Sequence, residues 1–546
     1  MPDVQEGEVS DNADGLQRHL ANRQIQLIAI GGSIGTALFV SIGGALEEGG
    51  PGSLFIAYTF YACVVALVNN CVAEMTVAFP VSGGFIRLAG HWVDDALGFM
   101  AGWNFFLYEA LLIPFEITAF IAVAEYWGES VTNPGPQAGV IIGIIICYAL
   151  INILAVKAYG EAEFWLSGGK VLLIFLLFSF TFVTMVGGNP QNDAYGFRYW
   201  EHGAAFKAFR SAGGLGKFQG WLAGLYSASF TIVGPEYISM VAAEARRPRI
   251  YIKTAFKTVY VRFGIFFIGG ALAVGIVCDS NWPDFIARIQ SGASSAAASP
   301  YVIAMQHMGI KGLPDLVNAL MLTSIFSAGN TYTYCAVRNL YGLALEGRAP
   351  RFLAYTTRRG VPLFCFLVVM VFPFLSFLSV SKGSEQALVW LINITTAGGI
   401  IDYIVITITY IRFYKACQVQ GLDRRTLPYT GWFQPYSAWI ALFFEVIIVI
   451  TFGYSSFLGG FSVTTFFTYY ILVILDPILF IFWKVFKRTK WIKPEEVDLV
   501  WERPTIDAYE ATFIDKPIGF WRELIQLFGL WKQPGGNDKR VASISN

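Results

Sequence analysis

Two stretches of this 546-residue sequence place helix-weakening residues inside apolar runs. One is Gly31-Gly32-Ser33-Ile34-Gly35; the other runs from Ser229 through Phe230, Thr231, Ile232, Val233 and Gly234 to Pro235, with Glu236 beside it. Glycine weakens a helix and proline removes a backbone donor, so each stretch interrupts the hydrogen-bond ladder. In a bilayer the freed groups must still find partners, which points to a cavity lining. Free amides at a half-helix N-terminus suit a carboxylate, and freed carbonyls at a C-terminus suit an ammonium group or a cation. A zwitterionic amino acid fits both. Taken alone, Gly31 to Gly35 fits helix packing through small residues equally well. A matched pair of interrupted helices points instead to the midplane site of a secondary transporter.

Four ionisable side chains fall in the same apolar surroundings: Glu116 shortly after Pro114, Lys170, Glu236 and Asp402. A carboxyl in lipid is costly unless paired or protonated, so Glu116 and Glu236 are candidates for proton binding or for bracing the breaks, with structural pairing the simpler role. Lys170 either serves a site or snorkels to the interface. If Asp402 faces a cavity, it favours a second cationic group on the solute, as in Lys, Arg, a polyamine or a trimethylammonium. Otherwise it pairs within the bundle.

The four histidines, His19, His91, His202 and His307, are dispersed, and no HExxH, GxSxG or P-loop pattern occurs, which weighs against an enzyme. Seven scattered cysteines without a CxxC pair read as packing residues. No cofactor and no metal are expected.

The elements that must position these residues are membrane helices. The chain is 55% hydrophobic, 16% aromatic and only 14% charged, with a mean hydropathy of +0.54. A water-soluble core does not hide that much apolar surface. The 38 basic and 38 acidic residues cancel, so no basic field invites nucleic acid; the lipid bilayer is the expected partner. A spanning helix needs about 20 mostly apolar residues, and twelve such runs occur. The first six are Ile25 to Leu46, Ser53 to Phe79, Leu97 to Trp127, Ala138 to Val156, Phe164 to Gly187 and Phe218 to Ala242. The second six are Val259 to Cys278, Leu313 to Leu345, Val361 to Val380, Ala387 to Phe413, Tyr436 to Phe457 and Ser462 to Trp483.

Every second connection is rich in Lys and Arg: the loops around Arg246, Arg348, Arg424 and Lys487 carry the excess, whereas 128–137 and 458–461 carry no basic residue. The connection 188–217, with Arg198, Lys207, Arg210 and Lys217, is the exception. This alternation places both termini in the cytosol. The N-terminal stretch lacks the order of a cleavable signal, so the first span is expected to target the chain. The domain reading is a cytosolic tail at 1–24, a transmembrane domain at 25–485 and a cytosolic tail at 486–546. Between spans, 279–312 reads as an extracellular loop with a short amphipathic segment. In the C-terminal tail, Ile518 to Trp531 is amphipathic and suits either the membrane interface or the protein's own cytosolic face.

Several stretches, IQLIAIGGSIGTALFVSIG, EMTVAFPVSGGFIRLAGHWVD, ALGFMAGWNFF, AYGEAEFW with Lys170, SFTIVGPEYISMVAAEARRPR and FSAGNTYTYCAVRNLYGLALEGRAP, carry a resemblance. Through them the chain resembles the fungal amino-acid permease family of the amino acid-polyamine-organocation superfamily, over nearly all twelve spans. EFWLSGGK, GGNPQNDAYGFR and SPYVIAM are most similar to the branch associated with carnitine and polyamine uptake. The resemblance implies an all-α integral membrane fold, leucine-transporter-like: an inverted five-plus-five repeat plus two extra helices, with helices 1 and 6 broken at mid-membrane. It also implies proton-coupled import of amino acids or related cationic amines across the plasma membrane.

Carried over by matching motif, Gly31, Gly32, Ser33, Ile34 and Gly35 would hold the substrate carboxylate, and Ser229, Thr231 and Ile232 would offer carbonyls to its amine. Phe230 would act as an aromatic gate, against the plainer reading of a lipid-facing or core ring. Lys170 matches a family lysine standing where sodium-driven relatives hold their ion; with Glu116 and Glu236 it forms the implied coupling set. Glu244 matches a further acidic position near the sixth span. Two places depart from the family: Ala37 replaces a usual glycine, and Asp402 replaces small or hydroxyl residues, which makes it the candidate for side-chain selectivity. Related permeases are regulated by ubiquitin on N-terminal lysines. The N-terminal tail here has none, so a ubiquitin-ligase adaptor would use Lys493, Lys516, Lys532 or Lys539 in the C-tail.

Two other classes of function fit the same spans less well. A nutrient sensor on this scaffold would be expected to carry a long regulatory tail, and both tails are modest. A pore would need symmetric or repeated filter loops, which the sequence lacks.

Overall fold

The computed structural model describes residues 18, 20–32, 34–154, 156–201, 203–290, 299–357, 360–380 and 385–513. Ser33, the amphipathic stretch Ile518 to Trp531, and Lys516, Lys532 and Lys539 lie outside the described residues. Among the described residues the chain is all-helical without a strand; Leu20 pairs with Ala245 and Thr356 with Pro362 as isolated bridges.

Helix α1 (Asn22–Gly31) stops at the glycine run. Helical geometry returns as a π-turn at Ala37–Ser41 and continues into α2 (Ile42–Ala78). α2 is two helices meeting at Gly50, where φ is 77° and Pro51 follows; that left-handed backbone suits glycine, and proline suits a first turn. α3 (Gly84–Trp92) leads to α4 (Asp95–Ala124), capped by Asp94, whose carboxylate accepts the Ala96 amide at 2.8 Å. Next come α5 (Pro134–Leu154) and α6 (Val156–Met185), then α7 (Gly213–Thr231) and the short α8 (Pro235–Val241). α9 (Pro248–Arg262) passes through a π-turn at Phe263–Ile268 into α10 (Gly269–Val277).

The expected amphipathic connection 279–312 contains two short helices, α11 (Pro283–Gln290) and α12 (Pro300–His307). The remainder is α13 (Leu313–Leu345), α14 (Leu363–Val369) with a 3-10 continuation at Phe372–Val380, α15 (Glu385–Val419), α16 (Tyr436–Thr451), α17 (Val463–Lys487) and α18 (Arg503–Ala511).

Nine helical stretches among the described residues are long and apolar enough to cross a membrane. They correspond to nine of the expected runs; the first, sixth and eighth fall short, each for a physical reason. α1 is only 10 residues long before its break, and α7 has 19 residues but carries five glycines besides Lys217 and Gln219, so it is insufficiently apolar. α13 has 33 residues but buries Asn318, Ser324, Ser327, Asn330, Thr331 and Thr333, so it is insufficiently apolar.

Burial sorts the helices into a centre and a lipid-facing rim. In α4, 78% of the apolar window is buried, whereas in α17 only 17% is. Leu172, Phe182, Phe443 and Val485 are exposed on the rim, as expected of side chains facing acyl chains.

The end of the bundle that carries the basic loops is closed by ion pairs and by the C-terminal chain. Glu244 pairs with Arg338 at 2.9 Å, both buried. The Arg249 guanidinium donates to the carbonyls of Val77 (3.0 Å) and Ala78 (2.8 Å) and reaches Asp507 of α18 at 2.5 Å. Glu510 accepts the Arg249 amide at 2.9 Å, the Ile492 amide reaches the Val93 carbonyl at 3.0 Å, and the Trp92 indole reaches the Asp498 carbonyl at 3.2 Å. The described part of the C-terminal tail is thus strapped across this end and packed against it.

Glu346, just past α13, anchors the same end. Arg87 lies 2.6 Å away, the His91 ring 2.8 Å and Arg348 3.7 Å. Burial pushes its carboxyl up, but the hydrogen bond from His91 and the charges of Arg87 and Arg348 outweigh it and hold the pKa at about 2 against an ordinary 4.5. A folded pKa below the unfolded one means that ionised Glu346 stabilises the fold above about pH 4.5, and that this contribution is lost as pH falls toward 2. Glu346→Gln should therefore cost on the order of 2 kcal/mol at pH 7. Melting of the detergent-solubilised protein should show the gap from wild type narrowing below pH 4.5; a gap independent of pH would refute the ionic role.

Candidate functional site

The first interruption is held by side chains from three other helices. Ile34 keeps one helical bond, its amide donating to Ile30 at 3.0 Å, and its own carbonyl is left to other donors. Lys170 of α6 fills that vacancy: Nζ lies 2.6 Å from the Ile34 oxygen, and the Ser324 hydroxyl of α13 lies 3.4 Å from it. Tyr332 of α13 donates to the Gly32 carbonyl at 3.2 Å. On the far side of the break, the Thr36 hydroxyl donates to Glu116 of α4 at 2.6 Å and the Thr36 amide at 3.4 Å.

Lys170 is 0% exposed, so it does not snorkel to an interface. Glu163, about two helical turns earlier on α6, is equally buried; it accepts from Ser167 at 2.6 Å and from Ser327 of α13. The two carboxylates Glu116 and Glu163 and the one ammonium therefore surround the break from both sides, in a setting where charge-assisted bonds are strong.

Close packing explains two of the glycines. A Cβ on Gly35 would overlap Glu116 Oε1 and sit 3.1 Å from the Ala328 side chain. A Cβ on Gly32 would lie 2.9 Å from the Tyr237 ring.

The second interruption spans 232–234. The Ile232 amide makes the last helical bond of α7, to Ala228 at 2.8 Å, so the carbonyls that follow Ala228 lie at a helix C-terminus, where acceptors go unused. Gly234 adopts φ 144°, and Pro235 then opens α8. Glu236 folds back to accept the Gly234 amide at 3.1 and 3.2 Å and receives the Tyr403 hydroxyl at 2.9 Å. The hydroxyls of Ser229 and Thr231 donate to carbonyls one turn earlier, leaving the chain's own carbonyls as the polar face of the break.

Both interruptions border one small pocket. Gly35 and Ala37 come from the first, Phe230, Thr231 and Val233 from the second, and Tyr108, Leu112, Glu116 and Tyr332 complete it. Phe230 stands edge-on to Phe115 at 5.4 Å between ring centres. Of the expected site residues, Gly35, Glu116, Phe230 and Thr231 are brought together at this pocket, with Lys170 bonded to the Ile34 carbonyl; Gly31, Gly32, Ile34, Ser229 and Ile232 are not among the described residues of its lining. Glu236 sits outside the lining, bracing the second break. Asp402 also lies outside it: Asn104 of α4 donates to Asp402 Oδ1 at 3.0 Å, and the pocket wall nearest to it is Tyr108.

Sequence reasoning missed Thr36, Tyr108, Glu163, Tyr237, Ser324 and Tyr332. Their signal was polarity inside apolar helices, most visibly along α13, but polarity alone does not say which side of a helix meets the break.

A family model described as amino acid permease matches residues 24–495. The chain is 43% identical over 503 residues to the general amino acid permease AGP2 of Saccharomyces cerevisiae, covering 90% of this chain and 84% of that protein. It is 37% identical over 530 residues to a proline-specific permease of Emericella nidulans, covering 96% and 95%. Against a lysine-specific permease of Saccharomyces cerevisiae the identity is 33% over 513 residues, covering 93% and 82%.

Gly35→Ala should lower stability by about 1–3 kcal/mol, because its methyl group collides with Glu116 in a packed interior. Gly44→Ala, where open space surrounds the new methyl, should be neutral or slightly stabilising. Thermal midpoints of the two purified variants compare them directly, and equal midpoints would rule out the tight approach of Glu116 to the break.

Proposed function

The chain belongs to the amino acid permease family, and on that premise we propose that it imports amino acids together with protons by alternating access. The proposed site lies where α1 and α7 are interrupted. One observation carries the reading: a pocket bordered by both interruptions, with unwound backbone on each side and an aromatic ring, Phe230, over it. The glycine-rich break from Gly31 to Gly35 suits the substrate carboxylate, and the carbonyls of Ser229, Thr231 and Ile232 suit its ammonium group. Gly31, Gly32, Ser33 and Ile34 complete the first break. The different side chains accepted by the relatives are consistent with a site that recognises the backbone of an amino acid first.

The coupling step runs through the side chains behind the pocket. Protonated Lys170 holds the Ile34 carbonyl by a charge-assisted bond, and Glu116 holds Thr36. Loss of the proton from Lys170, or its gain by Glu116, loosens one side of the break and lets the first helix move against α6 and α4. Glu236 acts as a brace on the second break, through Gly234 and Tyr403. Asp402 acts on selectivity only indirectly, through the α4 wall that carries Asn104 and Tyr108.

The full architecture belongs to the same proposal: twelve spans in an inverted five-plus-five arrangement plus two, with the two breaks at mid-membrane. It is supported by length. The stretch Ala37–Ala78 has 42 residues, roughly 60 Å of helix against a hydrocarbon core of about 30 Å, so its bend at Gly50 divides it between two spans. With α1 joined to the first of these, α7 to α8, α9 to α10, and α13 counted, the spans number twelve. The basic loops support cytosolic termini, and the plasma membrane follows from the family resemblance. Lys493 is exposed on the tail, the position from which a ubiquitin-ligase adaptor would act.

Uptake of labelled amino acids, carnitine and spermidine by cells lacking their own permeases tests the reading. Saturable uptake that collapses by at least tenfold with a proton uncoupler is expected, with Lys170→Ala losing accumulation and Phe230→Ala losing rate. Uptake insensitive to the uncoupler would remove the coupling step. No flux of any solute from a correctly localised protein would replace transport by a sensing role.

A further inference from the structure

Three helices that pack on one another, α4, α15 and α17, each bury carboxyl or amide side chains. α4 supplies Asn104 and Glu109, α15 supplies Asp402 and α17 supplies Asp476. All are at most 2% exposed. Asn104 spends its amide donors on Asp402 Oδ1 at 3.0 Å and the Gly398 carbonyl at 2.9 Å. What remains is acceptors only: Asn104 Oδ1, Asp402 Oδ2, both oxygens of Asp476 and both of Glu109 lack a hydrogen-bond donor. The Tyr237 hydroxyl acts on Glu109 only as a weak donor.

Among the described residues, no lysine or arginine pairs with these carboxyls. The ionisable neighbours acting on Asp402 are Asp476 and Glu236, and those acting on Glu109 are Glu236 and Asp402. The phenols of Tyr108 and Tyr237 face the same region, and Tyr403 is committed to Glu236. Lys484, further along α17, is engaged by Asp94, and Lys170 is committed to Ile34 on the other side of the pocket. Three buried carboxylates without a counter-ion are prohibitively costly in a low-dielectric interior. The arrangement also leaves little room for an organic cation: a methyl group on Gly398 would already lie 3.0 Å from Leu472, 3.2 Å from Tyr108 and 3.4 Å from Asn104 Oδ1.

The missing donors and the missing positive charge have one common remedy. We propose that Asp402, Asp476 and Glu109 form a proton-binding site separate from the substrate pocket, holding at least one proton at neutral pH in this conformation. A proton on one carboxyl turns an acceptor into a donor toward Asn104 Oδ1 or a neighbouring carboxylate oxygen, and cancels one charge in the same step. No bond other than O–H forms or breaks. Tyr108 is the contact between this site and the pocket, since it lines the pocket on one side and packs on Gly399 and Gly398 on the other. The proposal goes beyond the coupling reading, because it stands whether or not transport is driven by protons.

Infrared spectroscopy of the full-length protein in lipid nanodiscs at pH 7 reads protonated carboxyl groups without any transport assay. Wild type should show the protonated-carboxyl band, and Asp402→Asn and Asp476→Asn should each lower its area. Glu74→Gln, at a carboxylate paired with Arg424 at 2.6 Å, should leave it unchanged. Asn104→Ala keeps every carboxyl and should shift the band's frequency without reducing its area, which decides the matter should Asp402→Asn fail to fold. An unchanged band in folded Asp402→Asn and Asp476→Asn, or in Asn104→Ala, would overturn the proposal. So would a band abolished by Glu116→Gln alone.

Discussion

The ammonium group of Lys170 on the carbonyl of Ile34 is the contact on which the rest of the membrane domain depends. A helix opened inside a bilayer leaves backbone groups that lipid cannot satisfy, at several kcal/mol apiece. Here the debt at the first break is met by α6 through Lys170, by α13 through Ser324 and Tyr332, and by α4 through Glu116. Of these helices, α4 and α13 also wall the pocket, through Glu116 and Tyr332, so groups that make the break tolerable also line the space beside it. Motion of the first helix has to exchange these partners, and that exchange is what a coupling proton can bias.

The second break solves the same problem by a different route. Pro235 has no N–H and so needs no acceptor, Gly234 takes up the φ of 144° at the turn, and Glu236 accepts the Gly234 amide from within the segment itself. The asymmetry is mechanistically useful. The first break is tied to three neighbours and moves only with them, whereas the second is largely self-contained and leaves its carbonyls to the pocket.

Away from the two breaks, the fold separates two kinds of electrostatics. At the basic end, carboxylates such as Glu346, Glu244 and Glu74 meet arginines, and the C-terminal strap is woven into those pairs. Closure of that end is therefore linked to the tail, because Arg249 binds the end of α2 and α18 together. In the interior, the carboxyls of Asp402, Asp476 and Glu109 meet no cation among the described residues. Charge pairing serves the exposed end, where water shares the cost, and neutralisation serves the interior, where nothing does.

The sequence by itself determined the class of fold, most of the spans and the two places where helices stop, because these follow from local properties: apolar length, glycine, proline and loop charge. It also singled out Lys170, Glu116 and Glu236, since an ionisable residue in an apolar run is conspicuous wherever it points. It did not determine partners. Whether Lys170 snorkelled or bound the break depended on which way α6 turns, and one residue of rotation, about 100°, separates those outcomes. Asp402 looked from its own helix like a candidate for the cavity, yet the packing of α15 on α4 turned it to Asn104 and put Tyr108 between it and the pocket. Glu163, Ser324, Tyr332 and Asp476 come from segments far apart in the chain, and their convergence is set by helix rotation and packing, which leave no local trace in the sequence. Tertiary structure decided those contacts because, in a bundle where nearly every face is apolar, hydropathy names the helices but does not orient them.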